Sequence, residues 1–352
     1  MSTLERDSHS HVEFEHTTCP LCRSARAMTY RYLSDLLYGF PGRFRIVRCL
    51  ACRHLYLNPR PTRETIMAFY PDEYGAHQVD NAGVAEAGRD LPGHGPGDNA
   101  AHSRPQPWYL SRPVRSIPGL PTLYRWLADT DSTIIPETSE PQPRGLELGC
   151  GTGSFALQLR QCGWDVVGVE LSPRAAAIAR RRGVPVHVGT LESLGLPAES
   201  FDAVFAWMVV EHLHDPVGTL DAVHRILKPG GLFAFSVPNC GAWESRIFGR
   251  YWYAWQVPTH LQHFTPATLH ALLRRTNFRC ERFIHQANCL NWIGSLGLWL
   301  REGFPRSAWG DRLLQFTNAP TMWPQLALAP LAKLTAAVGQ SGRVTVVARR
   351  AD

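Results

Sequence analysis

Glu147-Leu148-Gly149-Cys150-Gly151-Thr152-Gly153 is the stretch that decides the fold. Gly145-Leu146 lead into it as a short apolar strand, and Ser154-Phe155-Ala156-Leu157-Gln158-Leu159 leave it as an amphipathic helix. Glycine at every second position lets the backbone turn tightly and approach a ligand that a Cβ would exclude. A nucleotide-like cofactor is implied. Taken alone the loop is a weak sign, because dinucleotide enzymes use a similar device.

The flanking sequence sharpens it. Trp164-Asp165-Val166-Val167-Gly168-Val169-Glu170 reads as a second strand ending in an acid, placed where a carboxylate can accept from both ribose hydroxyls. Phe201-Asp202-Ala203-Val204-Phe205-Ala206-Trp207 reads as a buried strand, followed by Glu211-His212-Leu213-His214-Asp215-Pro216. Leu227-Lys228-Pro229-Gly230-Gly231 reads as a turn before a strand over 232–237, and further strands are expected over 280–285 and 343–348. This alternation predicts an α/β fold: a doubly wound, mostly parallel seven-stranded Rossmann-like sheet, its last strand antiparallel.

Upstream, Cys19-Pro20-Leu21-Cys22 and Cys49-Leu50-Ala51-Cys52 are two knuckles separated by 26 residues. Each CxxC turn can aim two thiolates at one tetrahedral ion, so Cys19, Cys22, Cys49 and Cys52 predict a structural Zn2+ site. Phe44-Arg45-Ile46-Val47-Arg48 alternates as a strand into the second knuckle, giving a zinc-ribbon-like hairpin. The other five cysteines have no ligand spacing. The expected organisation is a zinc module over 1–74, a linker with one short helix over 75–140, and a catalytic domain over 141–352.

With its companions, the loop resembles that of the class I S-adenosylmethionine-dependent methyltransferases, from Arg144 to about His285. The two knuckles, Asn58-Pro59-Arg60-Pro61 and Phe69-Tyr70-Pro71 are similar to the metal-binding leader of a bacterial subgroup of these enzymes. The resemblance implies S-adenosyl-L-methionine as cofactor, Glu147 near its methionine end, and Gly149, Cys150, Gly151 and Gly153 along it. It implies Glu170, with Leu171 beside it, at the ribose, and Trp207 over the cofactor. Thr190-Leu191-Glu192 falls where many members place an Asp for the adenine amino group; Thr190 departs from that, and Leu191 or Glu192 stands in.

Methyl transfer needs alignment of donor and acceptor and exclusion of water, and a base only if the acceptor must lose a proton. Histidine suits that role near neutral pH. His212 follows the fourth strand; His260 and His263 follow the fifth, after the aromatic stretch Trp252-Tyr253-Ala254-Trp255 that could wall an acceptor pocket. These three are the candidate catalytic residues. Glu211 and His212 are also a pair that could share a divalent cation.

About fifty residues beyond the minimal fold, over 288–341, carry Trp292, Ile293, Leu296, Trp299 and Leu300 at helical spacing. They suit a lid, a homodimer face or a shallow membrane contact. The acceptor can be a small molecule, a sugar or a lipid.

The 352 residues carry 36 basic and 30 acidic side chains, a net charge of +6, with only Lys228 and Lys333 as lysines. So small an excess argues weakly for nucleic acid. The polar amino terminus and the lack of eighteen uninterrupted apolar residues predict a cytoplasmic protein, at most peripheral to a membrane. Two other readings stand: an NAD(P)-dependent oxidoreductase using the glycine loop, and a noncatalytic zinc-dependent nucleic-acid adaptor.

Overall fold

The computed structural model describes residues 12–70, 133–136, 138, 140–318 and 322–352. The linker expected over 75–104 and the helix expected between 107 and 131 lie outside them.

In the leader, β1 (Phe14–Glu15) pairs with β5 (Arg60–Pro61). Between them β2 (Ala27–Leu33), β3 (Phe44–Cys49) and β4 (Leu55–Leu57) pair antiparallel in succession. Phe44 and Ile46 of β3 face one core and Val47 and Cys49 the other, so the strand delivers Cys49 into the second knuckle.

The large sheet comprises β6 (Arg144–Leu148), β7 (Asp165–Glu170), β8 (Val186–Val188), β9 (Phe201–Trp207) and β10 (Leu227–Pro238). The two-residue β11 (Gln262–His263) belongs elsewhere, and β12 (Phe278–His285) and β13 (Arg343–Arg350) complete it. Its order is β12-β13-β10-β9-β6-β7-β8, and only β13 runs against its neighbours. Ala203, Val204, Phe205 and Ala206 of β9 are all fully buried, as a central parallel strand covered on both faces requires. The expected turn at Lys228–Gly231 is instead a bulge inside β10, where the register shifts between Leu227 and Leu232.

Helices follow the strands: α1 (Ser154–Gln161), α2 (Pro173–Arg181), α3 (Pro216–Ile226), α4 (Trp243–Ile247) and α5 (Pro266–Arg275). Three start alike, with Ser172, Asp215 or Thr265 accepting a backbone N–H of the first turn and proline at the first helical position. Such caps contribute about 1 kcal/mol each. Between β12 and β13 lie α6 (Leu290–Gly303), α7 (Trp309–Asn318) and α8 (Met322–Ala337). No helix among the described residues is long and apolar enough to cross a membrane.

Leader and large sheet share one core. β11 pairs with β4, Gln262 opposite Tyr56 and His263 opposite Leu55, so the small sheet takes its fourth strand from the later chain. Leu33, Phe44, Ile46, Leu57, Ile66 and Phe69 pack with Trp252, Trp255, Val257 and Leu261. The leader is therefore fastened against the C-terminal ends of the parallel strands, where ligands of such sheets bind.

Candidate active site

Three positive-φ glycines carry the chain from β6 into α1. At Gly149 (φ +65°) a Cβ would stand 2.5 Å from Val209 Cγ2, so only glycine lets the two loops close on each other. Glu170, at the end of β7, accepts the N–H of Gly151 at 2.9 Å and of Ser172 at 2.8 Å. Its carboxylate is thereby held at the edge of a cleft of about 400 Å3, a volume ordinary for a small-molecule site.

Leu148, Gly149, Glu170, Leu171, Thr190, Leu191, Glu192 and Trp207 line that cleft, as do His212 and His260. Leu191 is buried, and Glu192 hydrogen-bonds the hydroxyl of Thr219. Trp207 packs edge-on against Phe155 at 5.2 Å. A glycine loop, a carboxylate held by backbone N–H groups, and an apolar wall at Leu191 together fit an adenosine-type cofactor.

Several expected residues stand back from the cleft. Gly151 acts through its N–H on Glu170, and Gly153 lets α1 pack on α2, where a Cβ would sit 3.1 Å from Ala179 Cβ and Val184 Cγ2. The Cys150 thiol turns under β7: a Cβ on Gly168 would meet its sulfur at 2.4 Å. Burial pushes that thiol's pKa up, away from nucleophilic behaviour. Glu147 is buried beneath the loop, with Oε2 unpartnered, and burial raises its carboxyl well above the ordinary range.

His263, expected beside the acceptor, stands outside the cleft. It faces the leader from β11, pressed edge-on against Trp255 at 5.0 Å, and does not line the cleft. Burial takes its pKa down to about 3. Of the aromatic stretch, Tyr253 lines the cleft, whereas Trp252 and Trp255 belong to the core shared with the leader.

His212 and His260 meet edge-to-face, ring centroids 4.6 Å apart. His212 Nδ1 lies 3.0 Å from the carbonyl of Thr259, and His260 Nδ1 2.9 Å from that of Ala254. A carbonyl can only accept, so each Nδ1 carries the proton and each Nε2 the lone pair. Burial lowers both pKa values, to about 4 for His212, so both rings are neutral near pH 7. Glu211, between them in the cluster, is fully buried with neither oxygen partnered, and burial raises its pKa to about 8. Donor atoms of Glu211, His212 and His260 all lie within 4.8 Å of one another. The half-buried guanidinium of Arg343 acts electrostatically on the same carboxyl. A fixed cation there disfavours a second, divalent one, and the cluster suits handling of a proton.

The sequence reading missed what the leader contributes. Tyr38, Arg63, Ile66, Met67 and Tyr70 line the cleft, as do Gln256, Thr317 and Arg343. Tyr70 had a signal, the Phe69-Tyr70-Pro71 segment; Arg343 had none. Around the loop of His212, Arg60 Nη1 donates to the His214 carbonyl, and Gln262 Nε2 donates to that of Leu213 while its Oε1 lies 2.9 Å from His54 Nε2.

The four knuckle sulfurs cluster within 4.8 Å, with Cys19 to Cys52 and Cys22 to Cys49 both at 3.5 Å. Tetrahedral ligands at ~2.3 Å from zinc stand ~3.8 Å apart, close to that spacing. Arg23 and Arg53, directly after each knuckle, take positive φ and so close the turns.

A family model described as "Methyltransferase domain" matches residues 123–282, between the knuckles and the α6–α8 insertion. Ubiquinone biosynthesis O-methyltransferase of Cereibacter sphaeroides is 34% identical over 177 residues, 46% of this chain and 72% of that one. Malonyl-[acyl-carrier protein] O-methyltransferase of Serratia marcescens is 31% identical over 133 residues, 37% of this chain and 51% of that one. Among solved structures, a possible histamine N-methyltransferase from Thermotoga maritima shares 22% identity with a TM-score of 0.41, covering 65% of this chain and 89% of its own. An S-adenosylmethionine-dependent methyltransferase from Mesorhizobium loti shares 21% with a TM-score of 0.40, covering 66% and 97%.

Proposed function

The chain belongs to the S-adenosylmethionine-dependent methyltransferases of class I, and from that premise we propose that it methylates a hydroxyl of a small molecule held between the histidine cluster and the leader. The observation that carries this reading is the pairing of Nδ1-anchored His212 and His260 with a cofactor-type cleft whose glycine loop and acid are already joined.

Gly149, Glu170, Leu171, Thr190, Leu191, Glu192 and Trp207 contact the cofactor in this reading. Gly151 and Gly153 shape the loop, and Glu147 and Cys150 support it from beneath. Bound there, S-adenosylmethionine supplies a methyl group already activated on a sulfonium. The protein's task is then orientation and exclusion of water. Nε2 of His260 takes the hydroxyl proton, its Nδ1–H anchored on the Ala254 carbonyl. Tyr38 and Tyr70 from the leader close the acceptor side. Both curated relatives are named as O-methyltransferases, which favours oxygen over nitrogen or carbon as the methylated atom. Sugar and lipid hydroxyls fall within the same chemistry.

Cys19, Cys22, Cys49 and Cys52 hold zinc in this reading. Four thiolates leave no open position, so the ion braces the leader and does not activate water.

The test has two parts. S-adenosylhomocysteine, and not NADH, should bind in calorimetry. Labelled methyl from S-adenosylmethionine should enter a metabolite fraction with the native chain and not with Glu170→Ala. Binding of NADH alone would replace this reading with the oxidoreductase one; salt-dependent nucleic-acid binding without cofactor binding would replace it with the adaptor.

A further inference from the structure

Arg343 begins β13, the one antiparallel strand, and its side chain lines the cleft beside His212, His260 and Tyr253. Its backbone is fixed: its carbonyl accepts from Ser341 Oγ and from the N–H of Gln286. Among the described residues its guanidinium makes no hydrogen bond and no ion pair. The acidic groups that act on it are Glu211 and Glu244, with Tyr253 between them in strength. Glu244 accepts from Trp252 Nε1 at 3.2 Å and Asn291 Nδ2 at 3.0 Å on one oxygen only, and burial raises its pKa to about 7, which weakens it as a counter-ion. Glu211 is held largely protonated by its burial. The arginine is thus desolvated, charged, and short of a counter-ion. Five N–H donors in a planar fork match a carboxylate or phosphate, and a guanidinium left bare in a cleft is the usual means of receiving one.

In the strand order Arg343 stands apart from the glycine loop. β13 is three strands from β6, where the glycine loop starts; at ~4.8 Å per strand that is ~14 Å. The histidine cluster lies between them, on the loop after β9 and the approach to β11. A group held by Arg343 therefore belongs to the acceptor, on the far side of the methyl group from the adenosine.

Resting on the methyltransferase reading, and deepening it, we infer that the acceptor is an anion whose carboxylate or phosphate is received by Arg343, leaving its hydroxyl at His260. Tyr253, whose hydroxyl accepts from Thr317 Oγ1 at 3.2 Å, can donate to the same anion. Arg63 at the leader's rim adds positive charge along the way in.

The experiment is a calorimetric titration of the full chain loaded with S-adenosylhomocysteine, using three ring probes: benzoate, phenyl phosphate and neutral benzamide. At least one anionic ring should bind tenfold or more tightly than benzamide, and which one does so separates the carboxylate from the phosphate. Arg343→Gln should abolish the preference, and Arg343→Lys should keep part of it, with melting temperatures confirming that both variants fold. S-adenosylhomocysteine affinity should be unchanged in both. Equal or absent binding of all three probes to the native chain overturns the inference, as does an Arg343→Gln loss confined to S-adenosylhomocysteine. Failure of the native chain to take up S-adenosylhomocysteine in the loading step is a separate result, and refutes the methyltransferase reading instead.

Discussion

Tyr70 Oη lies 2.8 Å from His212 Nδ1, across the seam between the leader and the catalytic sheet. Because Nδ1 also donates toward Thr259, the phenol accepts a share of that proton. Burial holds Tyr70 protonated. By this contact the leader is part of the cleft. Tyr70→Phe should slow methyl transfer about five- to tenfold, the worth of ~1 kcal/mol for one hydrogen bond, while S-adenosylhomocysteine affinity stays within about twofold. Equal losses in both would mean the phenol shapes the whole cleft and not the acceptor end.

Metal removal should act through the same seam. The knuckles adjoin His54, which reaches the loop of His212 through Gln262, and Arg23 of the first knuckle pairs with Asp215 at 3.1 Å. That exposed pair contributes under ~1 kcal/mol; the buried links carry the coupling. Stripping zinc with a chelator, or replacing Cys49 with Ser, should lower the melting temperature and cut methyl transfer, with cofactor affinity falling less. Metal analysis of the native chain should return one zinc per chain, and a chain without zinc that retains full turnover would remove the ion from the account.

His260 and His263 are three residues apart and should behave oppositely. His260→Ala should reduce turnover ~100-fold at temperatures where its melting curve shows the variant still folded, the usual scale for a lost general base. His263→Ala should leave turnover nearly intact and cost ~1–2 kcal/mol of stability, through the space opened against Trp255. The reverse pattern would return the base to β11.

What was legible in the sequence follows a physical line. The glycine loop and Glu170 are marked by residue type and spacing, glycine at every second position after one strand and an acid at the end of the next, although what they touch is distant in the chain. His263 was misplaced because its orientation is set by pairing with Leu55, some two hundred residues earlier. Tyr38, Arg63 and Tyr70 enter the cleft only because the small sheet borrows β11, and no local pattern announces that. Arg343 opens a strand whose apolar core, Val344 to Ala348, was readable; the direction of its first side chain was not.

Gly149 offers a test of the loop. Gly149→Ala places a methyl 2.5 Å from Val209 Cγ2 and forces alanine to φ +65°. Overpacking at ~1–3 kcal/mol and left-handed strain at ~1–2 kcal/mol should weaken S-adenosylhomocysteine about thirtyfold or more. Adding Val209→Ala should recover the overpacking part and leave the strain, so a double-mutant cycle should show coupling between the two positions. Independent, additive effects would mean the loops do not close on each other in solution.

Stability against pH should expose the buried carboxyl. Glu211 moves from an ordinary value of 4.5 when unfolded to about 8 in the fold, chiefly through burial, opposed weakly by its own backbone N–H and by Arg343. Between those values the native chain keeps a proton that the unfolded chain has released, so stability is full below pH ~4.5 and drains away as pH rises through ~8. Glu244, raised to about 7 by burial, adds to the same window. His212 and His214 oppose it at lower pH: their pKa values fall from 6.5 to about 4, so the unfolded chain binds more protons there, and stability rises with pH from ~4 to ~6.5. The native chain should therefore melt highest near neutrality or just below. Glu211→Gln keeps the shape of the neutral carboxyl without its proton, and should match the native chain near pH 5 yet exceed it by up to a few kcal/mol at pH 9. Melting curves of the two proteins that stay parallel across that range would mean Glu211 titrates normally, and that Arg343 already has in it the counter-ion that the acceptor was to supply.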